Sequence, residues 1–548
     1  MRGLSTVLRG IGTGLLLACG LAAGAQQQCA QRLTFTPVSQ PNRIEWSKFP
    51  DFSLAFPVVY CGPRLGDTQA SPLRHGFSHL NQVAPAEFGT LVQPRQWAPI
   101  YYGFATGLNQ PWETLQSPFG NDLTAYQRKW DAWLRDLSGG RTNAAGQYVL
   151  PVGRLLLDIE RILETDTQIL RLKANPSVPV AYRNLPDAQF LVAYKRAIRN
   201  LYAEGVRYVR QRADLTGITL GSYADTPILN TYFNIPTFSW ADWTTNLGRV
   251  NYLVKDSTEV RVGGPYYDQL DELSPSAYFD YDYPNPLAPD YLAYLLFQIE
   301  VNRAWSAKPV VPFVSVRYAS SSSTFPAFIQ PTMAEALAIF PVFSGAGGLW
   351  LWDDPTLETT RTTDILAAYE HFTHGLYRLS QFNDMLQGSE PVIDAPARDL
   401  LAGKQPVWRG LVKGNNILIV AQNPYATEGQ KTSLTVRYKD WQQVIELTGR
   451  EVYLCRFDRS LVTATEPVLG VVTVSPNPAR TQLTVLLSQP PRAGTELTLT
   501  DATGRILSRL AVNSQQTSLS VAGWPAGVYV VRISQGRDSQ TSRVLLTR

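Results

Sequence analysis

The sequence predicts an α/β chain: a (β/α)8 TIM-like barrel, then a small β-sandwich, then a C-terminal all-β module. Three observations predict it. Eight strand-like apolar runs recur between residues 56 and 352, with amphipathic helical stretches between several of them. Four shorter apolar runs bounded by turn residues lie between Val407 and Leu454. From Val474 onward apolar and polar residues alternate, interrupted by Pro-Asn-Pro, Ala-Thr-Gly and Pro-Ala-Gly. A period of two marks a strand, a period near 3.6 marks a helix, and Pro/Gly/Asn clusters mark the turns between.

Residues 1–25 read as a secretory signal peptide. Arg2 and Arg9 precede a short apolar stretch at 14–21, and Ala23-Gly24-Ala25 supplies small residues for cleavage before Gln26. That stretch is too short to span a bilayer, so no transmembrane anchor is expected after cleavage. Leu16-Leu17-Ala18-Cys19 offers a lipoprotein box as the alternative, with Leu17 a poor fit to it.

The barrel is expected over 45–385, with strands at 56–60, 76–80, 98–102, 155–158, 217–221, 277–281, 310–314 and 348–352. Helices are expected at 190–212, 291–305 and 333–343. In the first of these, Leu191, Tyr194, Ile198, Leu201 and Val206 form one apolar face with Lys and Arg opposite. A last helix at 363–386 closes the set. Eight alternating units fit a (β/α)8 barrel; a doubly wound sheet is the alternative, but no glycine-rich phosphate loop follows an early strand. The sandwich is expected over 390–466, from runs at 407–411, 416–420, 433–436 and 451–454.

Composition narrows the function. The chain of 548 residues is 44% hydrophobic and 17% charged, which is ordinary for globular protein, but 11% aromatic, with 26 Tyr and 13 Trp, is high. Flat rings suit the flat faces of sugars. The net charge of +4 sits at the chain ends: Arg2 and Arg9 lie in the signal, and the last 75 residues hold eight Arg against Glu496, Asp501 and Asp538. The middle is slightly acidic, so no basic patch argues for nucleic acid. Of four cysteines, Cys19 lies in the signal; Cys29 with Cys61 is the expected disulfide, leaving Cys455 over, and the pairing stays open on sequence grounds.

The C-terminal motifs are specific. Ser475-Pro476-Asn477-Pro478-Ala479, Asp501-Ala502-Thr503-Gly504-Arg505 and Pro525-Ala526-Gly527-Val528-Tyr529, followed by a basic last strand, closely resemble the sorting domain of the type IX secretion system of Bacteroidetes-type bacteria. The resemblance covers 474–548. It implies an Ig-like all-β module, engagement of the type IX machinery, and a protein that is released or held at the outer cell surface.

In a (β/α)8 barrel, chemistry gathers at the C-terminal ends of the strands. Three predicted strands end in acids: Asp158-Ile159-Glu160, Asp280-Tyr281-Asp282, and Trp350-Leu351-Trp352-Asp353-Asp354. Strand period two points Asp158 and Glu160 to one side. Two carboxylates on one face repel, so one holds its proton longer and suits a general acid. The structural alternative is an Asp that opens a loop and a Glu that caps the next helix.

Order and content together resemble the clan of chitinase-like glycoside hydrolases and hyaluronidases. Its Asp-x-Glu at the fourth strand matches Asp158-Ile159-Glu160, its sixth-strand Tyr-Asp matches Tyr281-Asp282, and its eighth-strand Trp after a Gly-rich run matches Gly345-Ala346-Gly347-Gly348-Leu349-Trp350-Leu351-Trp352. Upstream acids of the chitinase signature are missing here, where Gly153 and Leu156 stand; that points away from a standard chitinase and leaves the family open. The resemblance implies that Glu160 protonates the glycosidic oxygen. Asp158 would orient the substrate's acetamido group, Tyr281 or Asp282 would hydrogen-bond it, and Trp352 or Trp350 would underlie the sugar. In a two-carboxylate glycosidase, Asp280 or Asp282 would instead partner Glu160. Asp353, His79, Tyr102 and Tyr223 are further expected substrate contacts. No cofactor is expected. His75/His79 and His371/His374 have ligand-like spacing, but with four His and no Cys cluster no metal is expected. A serine hydrolase is unfavoured, since no G-x-S-x-G elbow surrounds Ser222. Two functions compete: a glycoside hydrolase acting on an extracellular polysaccharide, in which the resemblance implies N-acetylhexosamine units, and a non-catalytic carbohydrate-binding surface protein on a degenerate barrel.

Overall fold

The computed structural model describes residues 27–101, 117–158, 163–354, 360–461, 472–487, 490–491, 494–535 and 538–548. The expected signal peptide lies outside them. The described chain divides into two compact units, one within Gln26–Ser460 and one within Leu461–Arg548.

The first unit is mixed α/β. Two all-parallel sheets form its centre. One has the order His79–Leu80, Val58–Cys61, Leu349–Trp352, Phe313–Ser315. The other has the order Ile100–Tyr101, Arg154–Leu157, Thr219–Ser222. Single parallel bridges continue the pairing past the edges: Leu80 with Trp97, Tyr223 with Ser274, Leu273 with Val310 and Ser276 with Phe313. The sixth strand-like segment is therefore 273–276, not the expected 277–281. Pro275 in Leu273-Ser274-Pro275-Ser276 reads as a turn in sequence, and the aromatic run behind it is more conspicuous.

Period two divides the residues of these strands between two clusters. Val59, Cys61, Ala98, Ile100, Leu156, Val311, Phe313 and Trp350 pack together on one face. Their sequence neighbours Val58, Tyr60, Leu155, Leu157, Val310, Val314, Leu349 and Leu351 join the large cluster that includes the helices. Burial on both faces explains why these runs are nearly continuously apolar. The helix Asp187–Arg212 begins behind Pro186, with Asp187 in its first turn and Arg210 and Arg212 in its last, which complements the helix dipole. Its buried stripe is Phe190, Tyr194, Ile198, Leu201, Val206 and Val209. Tyr291–Trp305 and Pro331–Phe343 are buried almost all round, as helices between two layers must be.

The second layer is an antiparallel sheet of order Gln27–Cys29, Tyr453–Asp458, Asn416–Gln422, Val407–Lys413, Glu390–Val392. One face packs with the hairpin Lys431–Tyr438/Trp441–Thr448 through Trp408, Ile417, Ile419, Val436, Trp441 and Ile445. Leu411, Leu418, Val420 and Leu454 of the other face join the helical core. One buried ion pair crosses this junction, and a second, between the helices Pro331–Phe343 and Ala367–Ser380, reaches it through a 3.0 Å bond from Arg378 to the Val452 carbonyl. Arg409 donates to Glu300 at 2.9 Å, and Glu300 also accepts from Ser344 Oγ and the Ala397 N–H, each at 2.8 Å. Arg378 donates to Glu335 at 2.7 Å, with His374 at 3.3 Å. Burial raises the Glu335 carboxyl, but these partners and Arg32 outweigh it and hold it well below the usual range.

The first described residues close this sheet. Cys29 lies opposite Cys455 and is bonded to it. The expected Cys29–Cys61 pair is therefore replaced. Cys61 is a free thiol, 7% exposed, turned into the strand-face cluster, and burial pushes its pKa up.

In the second unit, a sheet of order Val472–Ser475, Gln482–Leu487, Gln516–Ser520 faces one of order Ile506–Ala511, Thr495–Asp501, Gly527–Gln535, Asp538–Leu546. Leu483, Val485, Leu497, Leu499, Val531 and Ile533 fill the space between. The motif residues hold its turns. Asp501 Oδ1 accepts from the Thr503 and Arg505 N–H groups at 2.9 and 3.1 Å, and Gly504 takes φ 85°. Asn477 binds the last strand through the Arg543 carbonyl and the Leu545 N–H, each at 2.9 Å.

One buried acid makes the first unit pH-sensitive. Asp225 follows the strand Thr219–Ser222 after a turn in which Ala224 takes φ 61°. Its Oδ2 accepts from Ser222 Oγ at 2.7 Å and from the Tyr266 hydroxyl. Burial raises its pKa from 3.8 to about 7, although both hydroxyls favour the anion. The folded state thus holds the proton more tightly than the unfolded chain. The stability this gives is full below about pH 4 and is lost as pH rises towards 7. Asp225→Asn keeps an acceptor for both hydroxyls and removes the titration. The difference in unfolding free energy between variant and parent should grow with pH across that window, by up to about 1.4 kcal/mol per unit. A pH-independent difference in denaturant titrations contradicts this.

Candidate functional site

The residues that follow the parallel strands surround a cavity of about 240 Å³. Asp158 is the first residue beyond Arg154–Leu157, on the parity of Leu156, and its N–H donates to the Tyr101 carbonyl at 3.2 Å. The Tyr223 N–H binds the Leu157 carbonyl at 2.8 Å, which sets Tyr223 beside Asp158. Tyr278 follows the sixth segment, and its ring lies near-parallel to Tyr223, with centroids 6.3 Å apart. Trp352 ends its strand opposite Cys61 and Ser315. All four line the cavity, together with Tyr318, Phe325 and Arg317. Burial raises the Tyr278 hydroxyl well above its ordinary pKa, as do Tyr223, Cys61 and Asp158 nearby, so it remains a donor at any working pH.

Arg317 braces one wall. Its Nε donates to both oxygens of Asp353 at 2.9 and 3.0 Å, its Nη1 meets Asp364 at 2.9 Å, and its guanidinium lies 4.0 Å from the centre of the Phe328 ring. Asp353 also accepts from the Tyr369 hydroxyl and the Asp354 N–H. Burial lifts the Asp353 carboxyl, against the pull of Arg317. Asp353 lines the cavity with its oxygens engaged in holding the wall.

Two expected contacts lie below the cavity. Trp350 is 0% exposed and stacked on Phe313 at 5.2 Å and 5°, so no sugar can reach its face. His79 sits beside Gly153, bonded at Nδ1 to Ser78 Oγ at 2.8 Å. Burial first, and Arg154 second, push its pKa down to about 4, so it is neutral. Arg154 and Glu272 form a buried ion pair in the same layer. The other histidines are engaged in packing: His75 stacks on Trp46, and His374 bonds to the Leu33 N–H and lies against Glu335. Among the described residues, no group of three His, Cys, Asp or Glu could hold a metal ion.

Asp280, Tyr281 and Asp282 line a second, open hollow with Phe233 and residues 321–324. Asp282 accepts from the Tyr318 hydroxyl at 2.6 Å and from Gln330 at 3.0 Å, and Asp280 from Ser321. Glu160 and Tyr102 lie outside the described residues. Sequence reasoning missed Tyr278, Arg317 and Tyr318. Parity held the signal for Arg317, since 313, 315 and 317 share a face; Tyr278 was hidden by the misplaced sixth strand.

Residues 473–547 match the family model of the secretion system C-terminal sorting domain. The chain is thus a secreted or outer-surface protein whose C-terminal module addresses it to that secretion machinery, and no helix among the described residues is long and apolar enough to cross a membrane. No curated protein sequence matches the chain. Among solved structures, bee venom hyaluronidase with a hyaluronic acid tetramer is similar at 16% identity over 56% of this chain and 93% of that one, with a TM-score of 0.37. An endo-beta-1,4-mannanase of Cellulomonas fimi aligns at 11% identity over 82% and 76%, TM-score 0.28. A glucosidase of Croceicoccus marinus aligns at 12% over 78% and 86%, TM-score 0.24. The similarity to these glycoside hydrolases is weak.

Proposed function

We propose that residues 45–385 close into a (β/α)8 barrel that hydrolyses glycosidic bonds in an extracellular polysaccharide with N-acetylhexosamine units, carried outside the cell with the sheet region 390–466 and the module 474–548. The observation that carries this reading is Asp158 at the end of its strand, in a cavity walled by Tyr223, Tyr278 and Trp352. A carboxylate at the C-terminal end of a barrel strand lies where catalytic residues gather, and the flat rings beside it offer faces on which a sugar can stack. The parallel pairings run in chain order, which supports a closed barrel.

In this mechanism Glu160, two residues beyond Asp158, protonates the glycosidic oxygen. Asp158 orients the acetamido group of the sugar, whose carbonyl oxygen attacks the anomeric carbon as the bond to the protonated glycosidic oxygen breaks. Asp158 stabilises the resulting oxazolinium, which water then opens, giving its proton to Glu160. The Tyr278 hydroxyl, held protonated, donates to the same group, the role that the family resemblance implies for Tyr281 or Asp282. Trp352 underlies the ring. No metal or cofactor takes part.

A non-catalytic carbohydrate-binding protein is the second reading, and one observation favours it. Upstream acids of the chitinase signature are replaced by Gly153 and Leu156, and a Cβ at Gly153 would lie 2.1 Å from the Arg95 carbonyl oxygen. The floor under Asp158 is built without room for an acid there.

A glycan screen of the parent protein beside Glu160→Gln and Asp158→Asn tests the proposal. Hydrolysis by the parent should fall about 10²- to 10⁴-fold in Glu160→Gln, the usual weight of a general acid, and strongly in Asp158→Asn, with unfolding midpoints unchanged. Binding without hydrolysis by the parent would establish the second reading. A chain truncated after residue 473 should accumulate in the periplasm; unchanged amounts in the medium or on the surface would contradict the role of the module.

A further inference from the structure

The charge of the two hollows carries an inference about which glycans the site accepts. The loop that follows the seventh strand walls both of them: Tyr318 and Phe325 line the cavity, and residues 321–324 line the open hollow beside it. The hollow measures about 710 Å³. Its rim carries Phe233, 69% exposed, the most exposed phenylalanine among the described residues. The cavity of about 240 Å³ falls below the roughly 300–1,000 Å³ of pockets that enclose a drug-sized ligand. It takes one sugar unit, and a polymer must continue past it along the shared wall.

Acids line that path. Asp158, Asp353 and Asp354 face the cavity, and Asp280 and Asp282 face the hollow. The single cation among the described linings is Arg317, which is buried and shared between Asp353 and Asp364. Arg450 lies over the Tyr283 ring, 3.8 Å from its centre, and does not line the hollow. A cleft lined by one sign of charge excludes ligands of the same sign, and a carboxylate placed against it has no partner.

We infer that this site accepts glycan chains that are neutral or positively charged, running from the cavity into the Phe233 hollow, and rejects chains that carry uronate or sulfate groups. The inference rests on the reading of the cavity as a sugar site and selects among its substrates.

Calorimetry and hydrolysis assays with the full exported protein test it. The probes are three pentasaccharides: one of N-acetylglucosamine, the same pentamer partly N-deacetylated, and one alternating N-acetylglucosamine with glucuronate. The first two should bind about ten-fold or more tightly than the third at low salt, the effect of one close like-charge contact at a protein surface. The gap should narrow at high salt and in Asp280→Asn. Equal or tighter binding of the glucuronate pentamer overturns the charge selection and leaves the hydrolase reading standing. Binding of the neutral pentamer with no hydrolysis supports the selection and overturns the hydrolase reading. Failure of all three to bind overturns both.

Discussion

The alternation of side chains along short parallel strands is the constraint on which the rest of this structure depends. Each strand has two to four residues, and each successive residue must suit a different environment. Val58, Tyr60, Leu349 and Leu351 meet helices, whereas Val59, Cys61, Trp350 and Trp352 meet one another. A slip of one residue in any strand would exchange the two sets. Because Asp158 shares the parity of Arg154 and Leu156, the same rule that buries an ion pair below sets a carboxylate above. The site is thus the upper end of a packed column: His79, Arg154 and Glu272 at the bottom, Phe313 on Trp350 in the middle, and Asp158, Tyr223, Tyr278 and Trp352 at the top.

Polar contacts, not only apolar packing, then fix what surrounds that column. Glu300 and Glu335 on the buried helices receive Arg409 and Arg378, and Asp353 receives Arg317. Each is a charge that could not stay buried alone, since an unpaired buried ion costs several kcal/mol. These pairs set the antiparallel sheet on the helices and the loop after the seventh strand against the cavity. Their chemistry is directional where apolar packing is not. The Cys29–Cys455 bond does the same for the strand Gln27–Cys29, fastening it to the sheet formed by the last strands of the first unit.

Much of this was legible in the sequence where the pattern is long. The helix at 187–212 declares itself through periodicity, those at 291–305 and 331–343 through long apolar runs, and the turns of the C-terminal module through their turn residues. The sixth strand did not, because Pro275 and two serines look like a turn; the strand they form has serines where its neighbours have large apolar residues. That displacement moved the expected tyrosine from 278 to 281. Trp350 and Trp352 are alike in sequence and share a face, yet depth along the strand buries the first and brings the second to the cavity. The cysteine pairing was beyond sequence reasoning, since Cys29 and Cys455 meet only through the register of a three-residue strand. A strand over 76–80 puts His79 at its end in sequence, but its partner is Val59, one layer below the strand ends.

The central claim is that the inward parity of Asp158, Tyr223, Tyr278 and Trp352 makes one sugar site. The most direct measurement is a crystal structure of the Glu160→Gln protein soaked with an N-acetylhexosamine oligosaccharide. The account predicts a sugar ring lying on Trp352 between Tyr223 and Tyr278, with its acetamido group at Asp158 and the Tyr278 hydroxyl. An oligosaccharide bound elsewhere on the first unit, with this cavity empty, would contradict it.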